Sequence, residues 1–408
     1  MSVPTTNRLS LLRVFAATTA AAVIGLALGP AGGARAQGTL SALQTDVDEI
    51  ARRARPSVVT VFAARTEESP RPTSASTSAG GVRRVRTRAG SGVAIEADLI
   101  LTTASVVLDA ERILISTANG LNSEAAIVGV DPVFNLALLR VPNLRLPPLT
   151  FAGGRPARVG DWMVSLGTSY SAQPTQSLGN VAQRHREPGR WLLQLTNTVY
   201  PGNSGAAALN IRGELAALVQ GELGSPDVTG AASERRAGGN SFAMPVETLR
   251  PVFESLKREG RVRHGYLGVT TLAASLASDW EGGPRTPIGA QVEGIIGGGP
   301  ADRLGLRPGD LIVAYDGERV ETPEQLARWV LATPPGREVV LVWVRRDIGH
   351  TGTAGLRESR ARGPQGLAGA DSDPPADRPR RVAELDREMR RLSKELIRIK
   401  DQSGPPPR

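Results

Sequence analysis

Apolar positions follow three successive rhythms along this chain. Between residues 57 and 245 they come in short runs rich in Val, Ile and Leu, punctuated by Gly, Pro, Asn and Asp. The runs cover 57–63, 90–95, 99–103, 112–116, 124–130, 135–141, 161–167, 177–183, 191–196, 206–209 and 215–220. Short strands at regular spacing with turn signals between them predict an all-β barrel region. Helical spacing brackets it. Leu43, Val47, Ile50, Ala51 and Ala54 predict a helix over 39–54, with Ser41 as N-cap and Pro56 as its stop. Leu249, Val252, Phe253 and Leu256 predict one over 246–259, opened by Pro245. Residues 66–89 are polar and are expected to form a disordered surface loop.

A second module is expected over 261–346. It begins at Tyr266-Leu267-Gly268-Val269. A short helix is expected over 272–277, and strands over 291–295, 311–315 and 339–344. Gly299 to Asp310 reads as helix and turn, and Asp316-Gly317 as a hairpin turn. A helix over 322–331 has Thr322 as N-cap and Pro323 at its first position. Residues 347–380, rich in Gly, Pro, Asp and Arg, are expected to be a disordered linker. The third rhythm is in the tail, 381–401. Val382, Leu385, Met389, Leu392, Leu396 and Ile399 alternate three and four residues apart, a coiled-coil seam with Glu395 and Lys400 beside it. Such a helix either pairs with another chain or docks on its own.

Composition adds a compartment. Arg8 and Arg13, the apolar stretch 14–28 and Ala34-Arg35-Ala36 form a signal-peptide pattern with cleavage after Ala36, so 1–36 is read as an export signal. The alternative is an uncleaved membrane anchor. The absence of cysteine (Cys 0) excludes disulfides and leaves an exported fold to rely on packing. The net charge of +9 is carried almost wholly by arginines scattered along the chain. That distribution, with few aromatics, gives no nucleic-acid signature but allows peripheral contact with anionic membrane surfaces. No cofactor and no metal is expected.

The chemistry centres on Tyr200-Pro201-Gly202-Asn203-Ser204-Gly205-Ala206. Glycines on both sides of a serine let the backbone turn sharply, so that the hydroxyl projects while N–H groups converge on one spot. The heptapeptide alone fits a catalytic nucleophile or a plain turn between strands.

Wider motifs resolve that choice. Gly90-Ser91-Gly92, the run Ile100 to Val107, Asp131 to Ala137, Pro201 to Gly205 and Ser241 to Pro245 resemble, in order and spacing, the HtrA (DegP-like) family of trypsin-like serine proteases. Tyr266 to Val269 and Gly299 to Asp310 resemble its PDZ domain. The resemblance covers about 40–346. It implies a mainly β fold, two six-stranded β-barrels of the chymotrypsin type over 37–260 and a PDZ domain after them. It also implies trimer-based assembly and protein quality control in the periplasm or cell envelope.

Against that family the chain departs where the chemistry lies. Ser105 occupies the position of the catalytic histidine and Asn135 that of the aspartate, while Ser204 keeps the nucleophile position. A serine hydroxyl needs a positioned base to take its proton, and neither Ser105 nor a neutral Asn135 is one. Loss of the histidine alone costs on the order of a millionfold in kcat in a comparable triad. The chain's histidines, His185, His264 and His350, fall outside the motifs and read as surface residues in a loop, at the domain junction and in the linker. Asn197 stands where the family often has aspartate, and Ala206 where a second glycine is common.

Gly202 and Ser204 can still offer oxyanion-hole amides. In the PDZ module, Tyr266, Leu267, Gly268 and Val269 are the candidate peptide-binding loop. Leu267, Val269 and Ile312 are candidate pocket walls. The reading is an exported pseudoprotease that binds unfolded or C-terminal segments, self-assembles or joins a complete relative, and acts as scaffold or regulator. The alternatives are an active endopeptidase using Ser204 with a non-standard base, or a function residing in the tail.

Overall fold

The structure, a computed structural model, describes residues 31–68, 83–168, 174–221, 241–276 and 286–359. Residues 1–30 of the signal segment and the tail over 381–401 lie outside the described residues. Helix α1 (Ala31–Ala54) starts ahead of the expected Thr39. Ser41 therefore does not cap it; its carbonyl accepts a 2.9 Å bond from Thr45 Oγ1 inside the helix. Ala31, Ala34, Ala36 and Gln37 are good helix formers and simply extend it upstream. Among the described residues no helix is long and apolar enough to cross a membrane.

The first barrel is built from β1 (Val58–Glu68), β2 (Arg83–Glu96), β3 (Leu99–Thr102), β4 (Arg112–Ser116), β5 (Asn122–Asp131) and β6 (Leu136–Arg140). It closes in the order β1-β2-β3-β6-β5-β4, with helix α2 (Ala104–Val107) after β3. Val59, Val61, Ile100, Ile115 and Leu139 fill its interior. The expected loop over 66–89 is corrected at both ends. β1 and β2 pair on to Thr66↔Val85 and Glu68↔Arg83, and residues 69–82 lie outside the described residues. A second apolar layer explains the extension: Phe62 and Ala64 face away from the barrel core and pack with Val85, Ala89 and Leu114. One face of a polar-looking hairpin is thus buried.

The second barrel uses β7 (Trp162–Thr168), β8 (Pro174–Glu187), β9 (Arg190–Leu195), β10 (Ala207–Leu209), β11 (Leu215–Gly221) and β12 (Ser241–Pro245), closed as β10-β11-β12-β9-β8-β7. Met163, Val181, Leu193, Leu195 and Val219 fill it. Helix α3 (Val246–Glu259) leaves β12, buries Leu249, Val252, Phe253 and Leu256, and ends at left-handed Gly260. That end abuts the first barrel: a Cβ added at Gly129 would lie 2.4 Å from the Gly260 carbonyl oxygen.

The last module pairs β13 (Gly265–Tyr266) with β20 (Arg357–Glu358). Its main sheet runs β14 (Val269–Leu276), β15 (Thr286–Ile295), β16 (Leu311–Tyr315), β18 (Glu338–Arg345), β19 (Ile348–Gly355), with β17 (Glu318–Arg319) against β16. Helices α4 (Pro300–Leu304) and α5 (Pro323–Ala332) complete it, and Thr322 caps α5 by accepting from the Gln325 amide. The helix expected over 272–277 is instead part of β14. Pairing with β15 along its length overrides the local propensity of Leu and Ala. The linker expected from 347 onward is ordered to Ser359. Arg346 and Asp347, both at positive φ (48° and 66°), make a two-residue turn that folds β19 back on β18. Ala354 and Leu356 then join the core. Residues 360–380 lie outside the described residues.

Barrel and last module touch closely at the β8–β9 turn. A Cβ added at Gly189 would lie 2.4 Å from the carbonyl oxygen of Ala332 at the end of α5.

Candidate active site

Ser105 begins the second residue of α2 and is exposed, while Asn135 sits in the turn between β5 and β6. Asn135 adopts a left-handed backbone (φ 50°), which Asn tolerates better than most residues. This aims its side chain at α2, where Oδ1 accepts a 2.9 Å bond from the Ser105 amide. The Ser105 hydroxyl turns to Thr103 Oγ1 at 3.2 Å. Arg88 closes the other end of the short helix, donating to the carbonyls of Ser105 (3.0 Å) and Leu108 (3.2 Å). The two degenerate positions are therefore in contact, and neither offers a base.

The Ser204 turn is rigidly held. The Asn203 amide donates to Tyr200 O at 2.9 Å and that of Gly205 to Val219 O at 2.8 Å. Asn203 Oδ1 accepts from the Tyr200 amide and its Nδ2 donates to Thr175 Oγ1, both at 2.6 Å. Gly202 and Gly205 sit at φ 98° and 89°. At Gly205 a Cβ would stand 2.1 Å from Ser91 O, so only glycine fits. Among the described residues the amides of Gly202 and Ser204 donate to nothing, which leaves them available to an oxyanion. Ser204 Oγ likewise has no hydrogen-bond partner there; it faces Gly221, where an added Cβ would come within 3.0 Å of it.

Ser91 ties this turn to the first barrel, a role the motif Gly90-Ser91-Gly92 signalled only by its small residues. It is fully buried. Its amide donates to Ser204 O at 2.8 Å, its hydroxyl donates to Gly202 O at 2.8 Å, and Oγ accepts from the Thr168 amide at 2.9 Å. Beside it a Cβ at Gly90 would meet Val106 at 2.4 Å and Ser204 O at 3.0 Å. α2, bearing Ser105, and the Ser204 turn thus flank one glycine of β2. Ser105 and Asn135 are in direct contact, and Gly90 lies between Val106 of the same short helix and the Ser204 carbonyl.

Each of the three histidines has partners away from the Ser204 turn. His185 lies on β8 rather than in a loop, because β8 runs on to Glu187; its Nε2 is 3.2 Å from Gln194 Oε1. His350 lies on β19 and stacks on Trp343. His264 is a half-buried bridge rather than a surface residue, with Nε2 2.6 Å from Asp131 Oδ2 and Nδ1 2.8 Å from Leu331 O. The only lysine among the described residues, Lys257, pairs with Glu96. Asn197, 1% exposed, donates from Nδ2 to Met163 O (3.0 Å) and Ser177 O (2.8 Å). An aspartate has no donor for either bond, so this departure is tied to local strand chemistry.

In the last module Leu267 and Ile312 are closed in the core, so they are not free pocket walls; the size of the apolar cluster around Tyr315 and Trp329 requires them there. Val269 is part-buried at the start of β14, and Tyr266 is part-buried. Gly268 is at φ 87°. The amides of Leu267 and Gly268 donate to nothing among the described residues, while the carbonyls of both are used, by Ala301 and Ile296. Among the described residues β14 pairs only with β15 and has no strand on its other edge. A separate cleft of about 690 Å³ lies between the β8–β9 turn, α3 and α5, lined by Trp191, Pro251 and Arg337 among others, and none of Ser105, Asn135 or Ser204 lines it.

Residues 90–218 match the family model "Trypsin-like peptidase domain" and residues 291–345 the model "PDZ domain". The chain is a homologue of the DegP/HtrA serine proteases. A probable periplasmic serine endoprotease DegP-like of Chlamydia trachomatis serovar D is 32% identical over 268 residues, covering 63% of this chain and 51% of the relative. One of Ectopseudomonas mendocina is 31% identical over 276 residues, covering 65% and 56%. The chain thus spans about half the length of the curated DegP-like relatives it matches. A serine endoprotease structure from Yersinia pestis is 26% identical with TM-score 0.52, covering 77% of this chain and 98% of that one. The HtrA-type protease AlgW solved with a decapeptide (24% identical, TM-score 0.54, 77% and 98% covered) shares the fold.

Proposed function

We propose that this chain is an exported DegP/HtrA-like protein with a silent protease cleft, and that it works by binding peptide segments through its PDZ module. The observation that carries this is the contact between Ser105 and Asn135. The groups that would relay a proton are replaced by a hydroxyl and a neutral amide, with the Asn135 side chain bonded to the Ser105 amide, and among the described residues Ser204 Oγ has no hydrogen-bond partner. The retained glycine geometry keeps the turn folded without activating its serine.

The PDZ reading is supported by the unused amides of Leu267 and Gly268 beside the open edge of β14. A C-terminal carboxylate can accept from such amides while its chain adds as a strand. Unfolded or C-terminal segments are the ligands proposed, in envelope protein quality control. Assembly as a trimer, or with a catalytically complete relative, follows the family resemblance. The periplasm is the proposed compartment, in line with the names of the DegP-like relatives.

A second reading, a serine endopeptidase with a non-standard base, has one observation in its favour: the amides of Gly202 and Ser204 remain free for an oxyanion. Incubation with casein and with a fluorophosphonate probe, comparing wild type with S204A, separates the two. The silent-cleft reading expects no turnover and no serine-dependent labelling. Turnover abolished by S204A overturns it.

A further inference from the structure

His264 lies in the short segment between α3 and β13, and its ring is held between the two modules. Leu331, whose carbonyl faces Nδ1, belongs to the last turn of α5; Asp131, whose carboxylate faces Nε2, ends β5. Phe134 stacks on the ring, with centroids 6.2 Å apart and planes 26° apart. A neutral imidazole has one N–H and one lone pair. Both atoms facing this ring are acceptors, and the carboxylate side chain is only 3% exposed. Both bonds exist together only when both nitrogens carry protons.

The surrounding charges leave Asp131 as the one that acts on the ring. Arg261 pairs with Glu358 and Arg263 with Glu259. Arg190 pairs with Glu187 and donates to Val133 O. Asp131 is itself fixed, since its Oδ1 accepts from the Phe134 amide at 2.8 Å. Burial disfavours the charged ring, but the hydrogen bond and charge of Asp131 and the Leu331 carbonyl outweigh it, so the His264 pKa is raised. The partial negative charge at the end of α5 acts in the same sense.

The geometry points to His264 as a proton-operated fastener between the PDZ module and the first barrel. Doubly protonated, the ring bonds both modules; neutral, it sets a lone pair against one of two oxygens and releases that side. The stabilisation is fully present below the value of a free imidazole and is lost as pH rises through the raised folded value. Phe134, Arg263 and Ala332, which neighbour the ring and its partners, line the adjoining cleft, and the His264 side chain itself is 18% exposed. The barrel-side anchor is the same turn that carries Asn135, whose side chain holds the Ser105 amide. The fastener therefore joins α5 to the rim of the silent cleft. It does not depend on the peptide-binding reading.

The test uses the full chain. The imidazole carbon–proton resonances are titrated from about pH 5 to 9, with His264 assigned by its loss in H264Q, and amide hydrogen exchange at Phe134 and Thr333 is followed in parallel. The expected midpoint lies above about 6.5 and falls by at least about one unit in D131N. Exchange protection at both amides is expected to drop about tenfold as pH passes that midpoint, and to stay level in H264R, whose guanidinium donates at every pH. A midpoint at or below that of free imidazole, or a wild-type profile indistinguishable from H264Q, overturns the proposal. D131N keeps an acceptor for Phe134; if it does not fold, wild type, H264Q and H264R decide the matter.

Discussion

Asn135 Oδ1 accepts the backbone amide of Ser105 at 2.9 Å, and this bond commits the asparagine's orientation. With its oxygen occupied, what Asn135 has left for a side chain at position 105 is an N–H donor. A histidine placed there would turn an unprotonated Nδ1 toward it and carry its proton on Nε2, facing Ser204 as a donor. S105H alone is therefore expected to stay inactive. S105H with N135D restores the tautomer that accepts the Ser204 proton, and activity about 10⁴-fold above the single variant is expected. Initial rates on casein, with fluorophosphonate labelling as a second readout, check this. Aspartate also tolerates the left-handed backbone at 135.

Ser91 is the second test. S91A removes the donor to the part-buried Gly202 O and the acceptor for the buried Thr168 amide. A loss of about 1–3 kcal/mol is expected, read as a lower urea midpoint with unchanged slope.

In the PDZ module, Asp310 is 1% exposed and grips Arg345 through two bonds of 2.7 Å, while the Arg307 amide donates to it as well. Burial pushes its carboxyl up, but the bonds from Arg345, the Arg307 amide and the nearby positive charges hold it below the usual range. Its stabilisation is therefore present above the unfolded carboxyl value of about 3.9 and disappears as pH falls through the lowered folded value. Acid unfolding monitored at Trp329 and Trp343 is expected to lose this step in D310N. Because Arg345 is a quarter exposed and asparagine keeps one acceptor oxygen, D310N at neutral pH is expected to lower the urea midpoint by less than the loss of a fully buried pair would.

G268A tests the peptide loop. A side chain at φ 87° strains the segment bearing the free amides. Affinity for a fluorescent decapeptide with a free apolar C-terminus is expected to fall about tenfold, measured by anisotropy. An amidated decapeptide is expected to bind weakly to both proteins.

The barrels were legible because their strands are short apolar runs closed by turn residues, several of them buried along almost their whole length, as β3, β6 and β10 are. Short motifs single out positions 105, 135 and 204 in the sequence, and the structure brings the first two into contact. Less visible were features that depend on distant partners. Thr66 and Val85 look like loop residues until Phe62 and Leu114 supply a second buried layer. Leu272 reads as helical until β15 pairs beside it. Ile348 to Gly355 reads as linker because its hairpin turn uses Arg346 and Asp347 instead of glycine. His264 looks superficial because Asp131 and Leu331 lie far away along the chain.

Gly189 carries a consequence for how such a protein can diverge. Where it meets Ala332, the distance between barrel and PDZ module is set by main chain against main chain, with no side chain between them. Spacing fixed in this way lets the surrounding surfaces change by substitution without shifting the two modules, while position 189 itself admits no other residue unless they move apart.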